Sequence, residues 1–211
     1  MNLKDEFKLI LEFEKKNRNM FLKGKPFSAS KAKDFKYGNK AHEKLLEEKF
    51  INGRKEKKPK KSNIVPDAAV YEYIIAKHSI NDIETVRKYH NIAMDAENKM
   101  GHLLEEYIYQ NIKNSGWIWC SGDILRAIDF IKKDENNKKD PWRALQIKSS
   151  DNSENSSSNK VRKNTKIKIE KWFRRFSQRT ETNWPKLVDL TECEELSNDG
   201  FLKFIQEKAK S

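Results

Sequence analysis

The sequence predicts an α/β (α+β) fold, a mixed β-sheet flanked by helices with a helical N-terminal extension, and three observations carry that prediction. Met100, Leu103, Leu104, Tyr107, Ile108 and Ile112 recur at helical spacing, and Asn114-Ser115-Gly116 supplies the stop. Three apolar, strand-like runs follow at 117–120, 124–131 and 142–148, with a polar turn over 132–140. Before residue 90 the pattern is helical, with basic linkers.

In chain order, Phe7, Ile10, Leu11 and Phe13, followed by Met20 and Phe21, form one apolar helical face, and Ala41, Leu45, Leu46 and Phe50 form a second. Residues 54–61 are almost all Lys around Pro59, which reads as a solvated linker able to reach phosphates. Pro66-Asp67 reads as a helix start, since Pro favours the first turn and Val70, Ile74 and Ile75 continue at helical spacing. Asn81 and Glu84 form a capping box that opens another helix. Beyond the third strand, SSDNSENSSSN over 149–159 is a polar loop. A helix is expected near Thr165 with Ile169, Trp172, Phe173 and Phe176 on one face, then a strand over 184–190 and a last helix around Phe201, Leu202 and Ile205. The order expected from Met94 is helix, strand, strand, strand, helix, strand. Residues 1–90 form the basic helical part and 91–211 the sheet-bearing core, joined as one continuous domain.

Composition narrows the function classes. Lys and Arg number 44 against 32 Asp and Glu, a net charge of +12 over 211 residues that suits a polyanionic partner. Eleven Phe, 6 Tyr and 5 Trp exclude a disordered chain despite 36% charged residues. Cys120 and Cys193 lie in no paired or metal-type spacing and read as free thiols. No apolar run approaches the roughly 20 residues of a membrane span, so a soluble, cytoplasmic protein without membrane contact is expected. His42, His78, His90 and His102 make no zinc pattern, and the seven glycines form no phosphate-binding loop.

The chemistry-bearing residues lie on the second and third apolar runs. Asp123-Ile-Leu-Arg-Ala-Ile-Asp129-Phe-Ile131 carries an acid, and Gln146-Ile147-Lys148 sets an amide and an ammonium on one strand face with Ile147 on the other. Asp129 and the amide oxygen of Gln146 are hard oxygen donors for a divalent ion, and Lys148 can stabilise hydroxide or phosphate charge beside it. Asp123, after Ser121-Gly122, reads first as a turn residue and second as an alternative ligand.

An acid on the second strand and a polar-x-lysine on the third resemble the PD-(D/E)XK nuclease core of type II restriction enzymes, and so imply a restriction-endonuclease-like core. AENKMGHLLEEY over 96–107, QIKSSDNSENSSS over 146–158 and KWFR over 171–174 resemble the SinI-type restriction endonucleases. The resemblance brings in Glu105 through the Gly101-x-x-x-Glu105 element, as a further carboxylate for a Mg²⁺ site with Asp129 and Gln146; Glu97 is the alternative there. It implies hydrolysis of double-stranded DNA at a short, GC-rich, near-palindromic site of the GGWCC kind. A homodimer is expected, with a cognate methyltransferase acting on the same site without required contact. Asn152, Ser153, Asn155, Ser156 and Ser157 follow the catalytic strand, where they can meet base edges and phosphates. Arg162 is the expected guanine reader, with Lys171 and Arg174 on phosphates. Two departures stand: Ile128, not Pro, precedes Asp129, and Gln146 replaces the usual acid. The alternatives are a structure-specific repair or junction nuclease with the same core, and a non-catalytic DNA-binding protein with a decayed one.

Overall fold

The structure, a computed structural model, describes residues 1–17, 20, 38–55, 68–80, 82–134, 136–137, 141–151, 162 and 165–210. By contacts the chain divides into two compact units, Met1–Lys55 with Leu103–Ser211, and Glu56–His102. The boundary at residue 90 rests on the change of sequence pattern and remains a proposal. No described helix is long and apolar enough to cross a membrane.

The smaller unit holds α3 (Ala68–His78) and the first part of α4 (Ile83–Ile112). Pro66-Asp67 and Asn81 lie outside the described residues; the cap in view is Asp82, whose Oδ1 accepts the Thr85 N–H at 3.1 Å. In the larger unit, α1 (Leu3–Lys16) and α2 (Lys40–Gly53) start at Asn2 and Asn39, whose side chains accept N–H groups of the first turn. Helix α4 ends in a 3₁₀ turn, Lys113–Ser115, and Gly116 at φ 82° turns the chain into β1 (Trp117–Trp119). Strands β2 (Phe130–Lys133), β3 (Trp142–Ser150) and β4 (Ile169–Arg175) follow, then α5 (Trp184–Thr191) and α6 (Asn198–Lys208).

The described strands make one sheet in the order β1-β2-β3-β4, antiparallel until the last pair, where β3 and β4 run parallel. Alternation along the strands separates two cores. Ile118, Ile131, Trp142 and Ala144 face α1 and α2 through Ile10, Phe13, Leu46 and Phe50. Trp117, Phe130, Leu145, Ile147 and Trp172 face the end of α4 with α5 and α6. The result is a sheet between two helical layers, the mixed α/β architecture expected.

Three elements differ from expectation. The second strand begins at Phe130, because Asp123 and Ala127 adopt left-handed φ of 54° and 56° and break any extended run over 124–128. The helix expected on Ile169, Trp172, Phe173 and Phe176 is strand β4. Its apolar residues sit at spacings of three and one that suit a helix, yet pairing with the long central strand β3 satisfies its backbone and only Trp172 becomes fully buried. The strand expected at 184–190 is helix α5, in which Trp184, Leu187 and Thr191 form the buried stripe and Pro185 takes the first turn. Among the described elements the order after α4 is therefore strand, strand, strand, strand, helix, helix.

Candidate active site

Asp129 stands at the start of β2, where its main chain still belongs to the ladder: Cys120 N–H donates to its carbonyl at 2.8 Å, and its own N–H donates to Leu145 O at 2.9 Å. Regular pairing of β2 with β3 ends at Phe130 with Leu145. The next free donor on β3, the Ile147 N–H, is taken at 2.6 Å by Oδ2 of Asp129. The carboxylate thus replaces a strand and is held by main chain rather than by a mobile side chain. Burial pushes its pKa up to about 6; the Ile147 N–H and the Lys148 charge pull against that, and Asp123 adds to it.

Gln146 and Lys148 lie on the sheet face that Asp129 occupies, Gln146 only 2% exposed and Lys148 half-buried. The Arg162 guanidinium donates to Gln146 Oε1. On β4, Lys171 is the register partner of Gln146; burial lowers its pKa first, the Arg162 charge lowers it further, and Asp151 opposes both. One acid, one amide oxygen and three cations therefore share one end of one sheet face.

The turn leading to Asp129 is anchored by the first 55 residues. Ser121 Oγ donates to Phe50 O at 2.8 Å, Arg126 N–H donates to Met20 O at 2.7 Å, and Arg54 Nε donates to Ser121 Oγ at 3.0 Å. Gly122, at φ 82°, lies so close to the Lys49 carbonyl that a Cβ there would collide with it. Arg54 also donates from Nη2 to Glu6 at 2.7 Å and to Trp119 O at 2.8 Å, and lies 4.2 Å from the Tyr109 ring centre. Nothing in the local sequence around Arg54 or Glu6 marks this cluster, because its members come from four distant segments.

Other expected site residues fall elsewhere. Glu105 accepts the Trp119 indole N–H at 2.8 Å, and its charge, like that of Asp129, raises the pKa of the buried Cys120 thiol, for which burial is the main cause. Asp123, named as an alternative ligand, is the carboxylate whose charge acts on Asp129. Arg174 projects to the opposite face, where it donates to Asn198 Oδ1 at 3.2 Å and lies over the Phe201 ring, so it is not brought together with Lys171. Asn152, Ser153, Asn155, Ser156 and Ser157 lie outside the described residues. Among the described residues no three His, Cys, Asp or Glu side chains could hold a metal ion. The Gln146 amide oxygen is a further hard donor on the face that Asp129 occupies.

A mixed sheet between helical layers, with an acid at the start of the second strand and a polar-x-lysine on the third, defines a restriction-endonuclease-like core. The comparisons go further. The family model described as SinI restriction endonuclease matches residues 1–210. The type II restriction enzyme Eco47I of Escherichia coli is 37% identical over 206 residues, 97% of this chain and 86% of that enzyme. The type II restriction enzyme SinI of Salmonella infantis matches with the same identity and coverage. The chain belongs to the SinI restriction endonuclease family.

Proposed function

We propose that this protein is a Mg²⁺-dependent type II site-specific deoxyribonuclease that hydrolyses phosphodiester bonds in double-stranded DNA at a short, GC-rich, near-palindromic site, acting as a cytoplasmic homodimer. The observation that carries the reading is the half-buried Asp129 carboxylate, tied to the Ile147 N–H between Gln146 and Lys148 on the strand that bears both. Family membership and a net charge of +12 support it.

Asp129 and the Gln146 amide oxygen fit a hard cation by donor chemistry and would hold the ion; Glu105, which accepts the Trp119 indole N–H, is the further carboxylate that the family resemblance adds. When bound, Mg²⁺ supplies Lewis acidity at the phosphate and an acidified water. Lys148, on the Gln146 face, places an ammonium where negative charge builds up. Arg162 and Lys171 border the same face. Lys171 neutralises a phosphate, and Arg162 offers a planar fork that can leave Gln146 for the O6 and N7 of a guanine. The asparagines and serines of 152–157 would complete the DNA contact. A cognate methyltransferase would protect the same site without touching this chain.

Digestion of methylated and unmethylated plasmid, with and without Mg²⁺, tests the reading. Discrete Mg²⁺-dependent bands are expected. Unordered degradation would point to the structure-specific nuclease, and no scission at any Mg²⁺ concentration to a decayed core.

A further inference from the structure

The turn that follows β4 carries side chains that the proposed site leaves unused. Residues 176–181 fold back on themselves, closed by the antiparallel pairing of Arg175 with Thr182 and by the Asn183 N–H, which donates to Arg174 O at 2.8 Å. Two further bonds tie this turn to the end of β3: the Asp151 N–H donates to Arg175 O at 3.2 Å, and the Ser177 N–H donates to Asp151 Oδ1 at 2.8 Å. The turn is therefore fixed to the residue from which the 152–157 segment leaves the catalytic strand.

A row of rings carries the active-site face outward. Phe173 is the register partner of Lys148 and, by strand alternation, stands on the face of Gln146 and Lys148. The Phe176 ring meets it edge-on, 5.1 Å between centroids, which bends the turn toward that face. The Arg179 guanidinium lies over Phe176, 5.3 Å from the ring centre, on an exposed residue. Among the described residues no carboxylate pairs with Arg179, although Glu181 is two residues away. An arginine laid on a ring keeps its planar fork in one orientation, which a bidentate base contact requires and a phosphate contact does not. The contacts of 5.1 and 5.3 Å that separate it from Phe173 span at most about three base-pair steps, at roughly 3.4 Å each. A phosphate at Lys148 thus brings bases of the same short site within reach of Arg179. The fork of Arg162 covers one guanine edge, and a GC-rich half-site presents more than one. We infer that Arg179, laid over Phe176, reads the O6 and N7 edge of a second guanine in the recognised DNA. The inference rests on the proposed site-specific cleavage and adds a specificity-determining residue to it.

The test is fluorescence anisotropy of the full chain, with Ca²⁺ in place of Mg²⁺ so that binding is read without hydrolysis. The probes are a duplex carrying the sequence mapped by the plasmid digestion, a random duplex, and copies of the first in which one guanine at a time becomes 7-deazaguanine, which lacks N7. Arg179 is exposed, so thermal melts of Arg179→Ala and Arg179→Lys should match wild type and confirm folding. Wild type should prefer the mapped duplex. Arg179→Ala should lose about tenfold or more on that duplex and far less on the random one. Arg179→Lys, which keeps the charge but not the fork, should match wild type on the random duplex and still lose most of the preference. At one guanine, different from the one that Arg162→Ala singles out, the 7-deaza substitution should weaken wild type and leave Arg179→Ala unchanged. Equal losses on both duplexes, or full recovery by lysine, assign Arg179 to a phosphate and overturn the inference, as does no loss at all. These outcomes leave the site-specific reading standing. A wild type that binds the mapped and random duplexes alike overturns that reading and the inference with it.

Discussion

Replacing Asp129 with Asn separates the cost of the buried charge from its use. The amide keeps an oxygen able to accept the Ile147 N–H, now held at 2.6 Å, and removes only the charge. In the folded protein burial lifts the Asp129 pKa from the ordinary 3.8 to about 6. A raised carboxyl pKa means that folding favours the neutral form. That contribution to stability is complete below about pH 4 and is lost as pH rises through 6, so the ionised group costs the folded state about 3 kcal/mol at pH 8. Asp129→Asn should therefore be more stable than wild type at pH 8 by about 1 to 3 kcal/mol in metal-free urea titrations, the lower end reflecting a Lys148 left without its counter-charge. The difference should vanish near pH 4, and cleavage should be lost at every Mg²⁺ concentration. A variant less stable than wild type at pH 8, or one that still cuts at near wild-type rate, refutes the reasoning and turns attention to Asp123.

Other outcomes follow from the same geometry. Arg162→Ala should weaken cognate binding by about 1 to 3 kcal/mol and relax choice at one base pair, whereas Lys171→Ala weakens all duplexes alike; equal losses on cognate and random DNA in a binding assay would move Arg162 to the phosphate-contacting set. Gln146→Glu should keep cleavage and lower the Mg²⁺ concentration it needs, while Lys148→Ala loses two or more powers of ten in rate; a Mg²⁺ titration unmoved by the first, with cutting intact in the second, would remove the strand from the site. Arg54→Met should cost about 3 to 5 kcal/mol in urea unfolding, because it strands the buried Glu6 carboxylate; a loss below about 1 kcal/mol would show that Glu6 finds water instead.

The legible parts of this sequence were local. The periodicity of 100–112, the stop at Gly116 and the alternation around Gln146-Ile147-Lys148 each depend on residues within one or two turns of one another, and α4, β1 and β3 formed where that pattern pointed. The illegible parts had competing local readings. Ile169, Trp172, Phe173 and Phe176 suit a helix as well as a strand, and only the open edge of β3 decided between them. Around Trp184 the signal for a helix is present, Pro185 in the first turn with Leu187 and Val188 three and four residues beyond Trp184, but Leu187, Val188 and Leu190 suit a strand as well.

Asp129 was legible as an acid on an apolar run, but its setting was not. That setting needs Ala127 in the left-handed region, a ladder that stops at Phe130, and a β3 amide left over for the side chain to accept. Arg174 shows the opposite limit. Its residue type suited a phosphate contact, yet strand alternation placed it behind the sheet with Asn198 and Phe201. By itself the sequence determined the fold class, the family and the residue types able to do the chemistry, because these depend on composition, short-range period and a long specific string. Tertiary structure alone decided which of those residues share a face, which segment pairs with β3 and how Arg54, Glu6 and Tyr109 meet, because such contacts join residues far apart in the chain, and their energy appears only once the sheet and helices have closed around them.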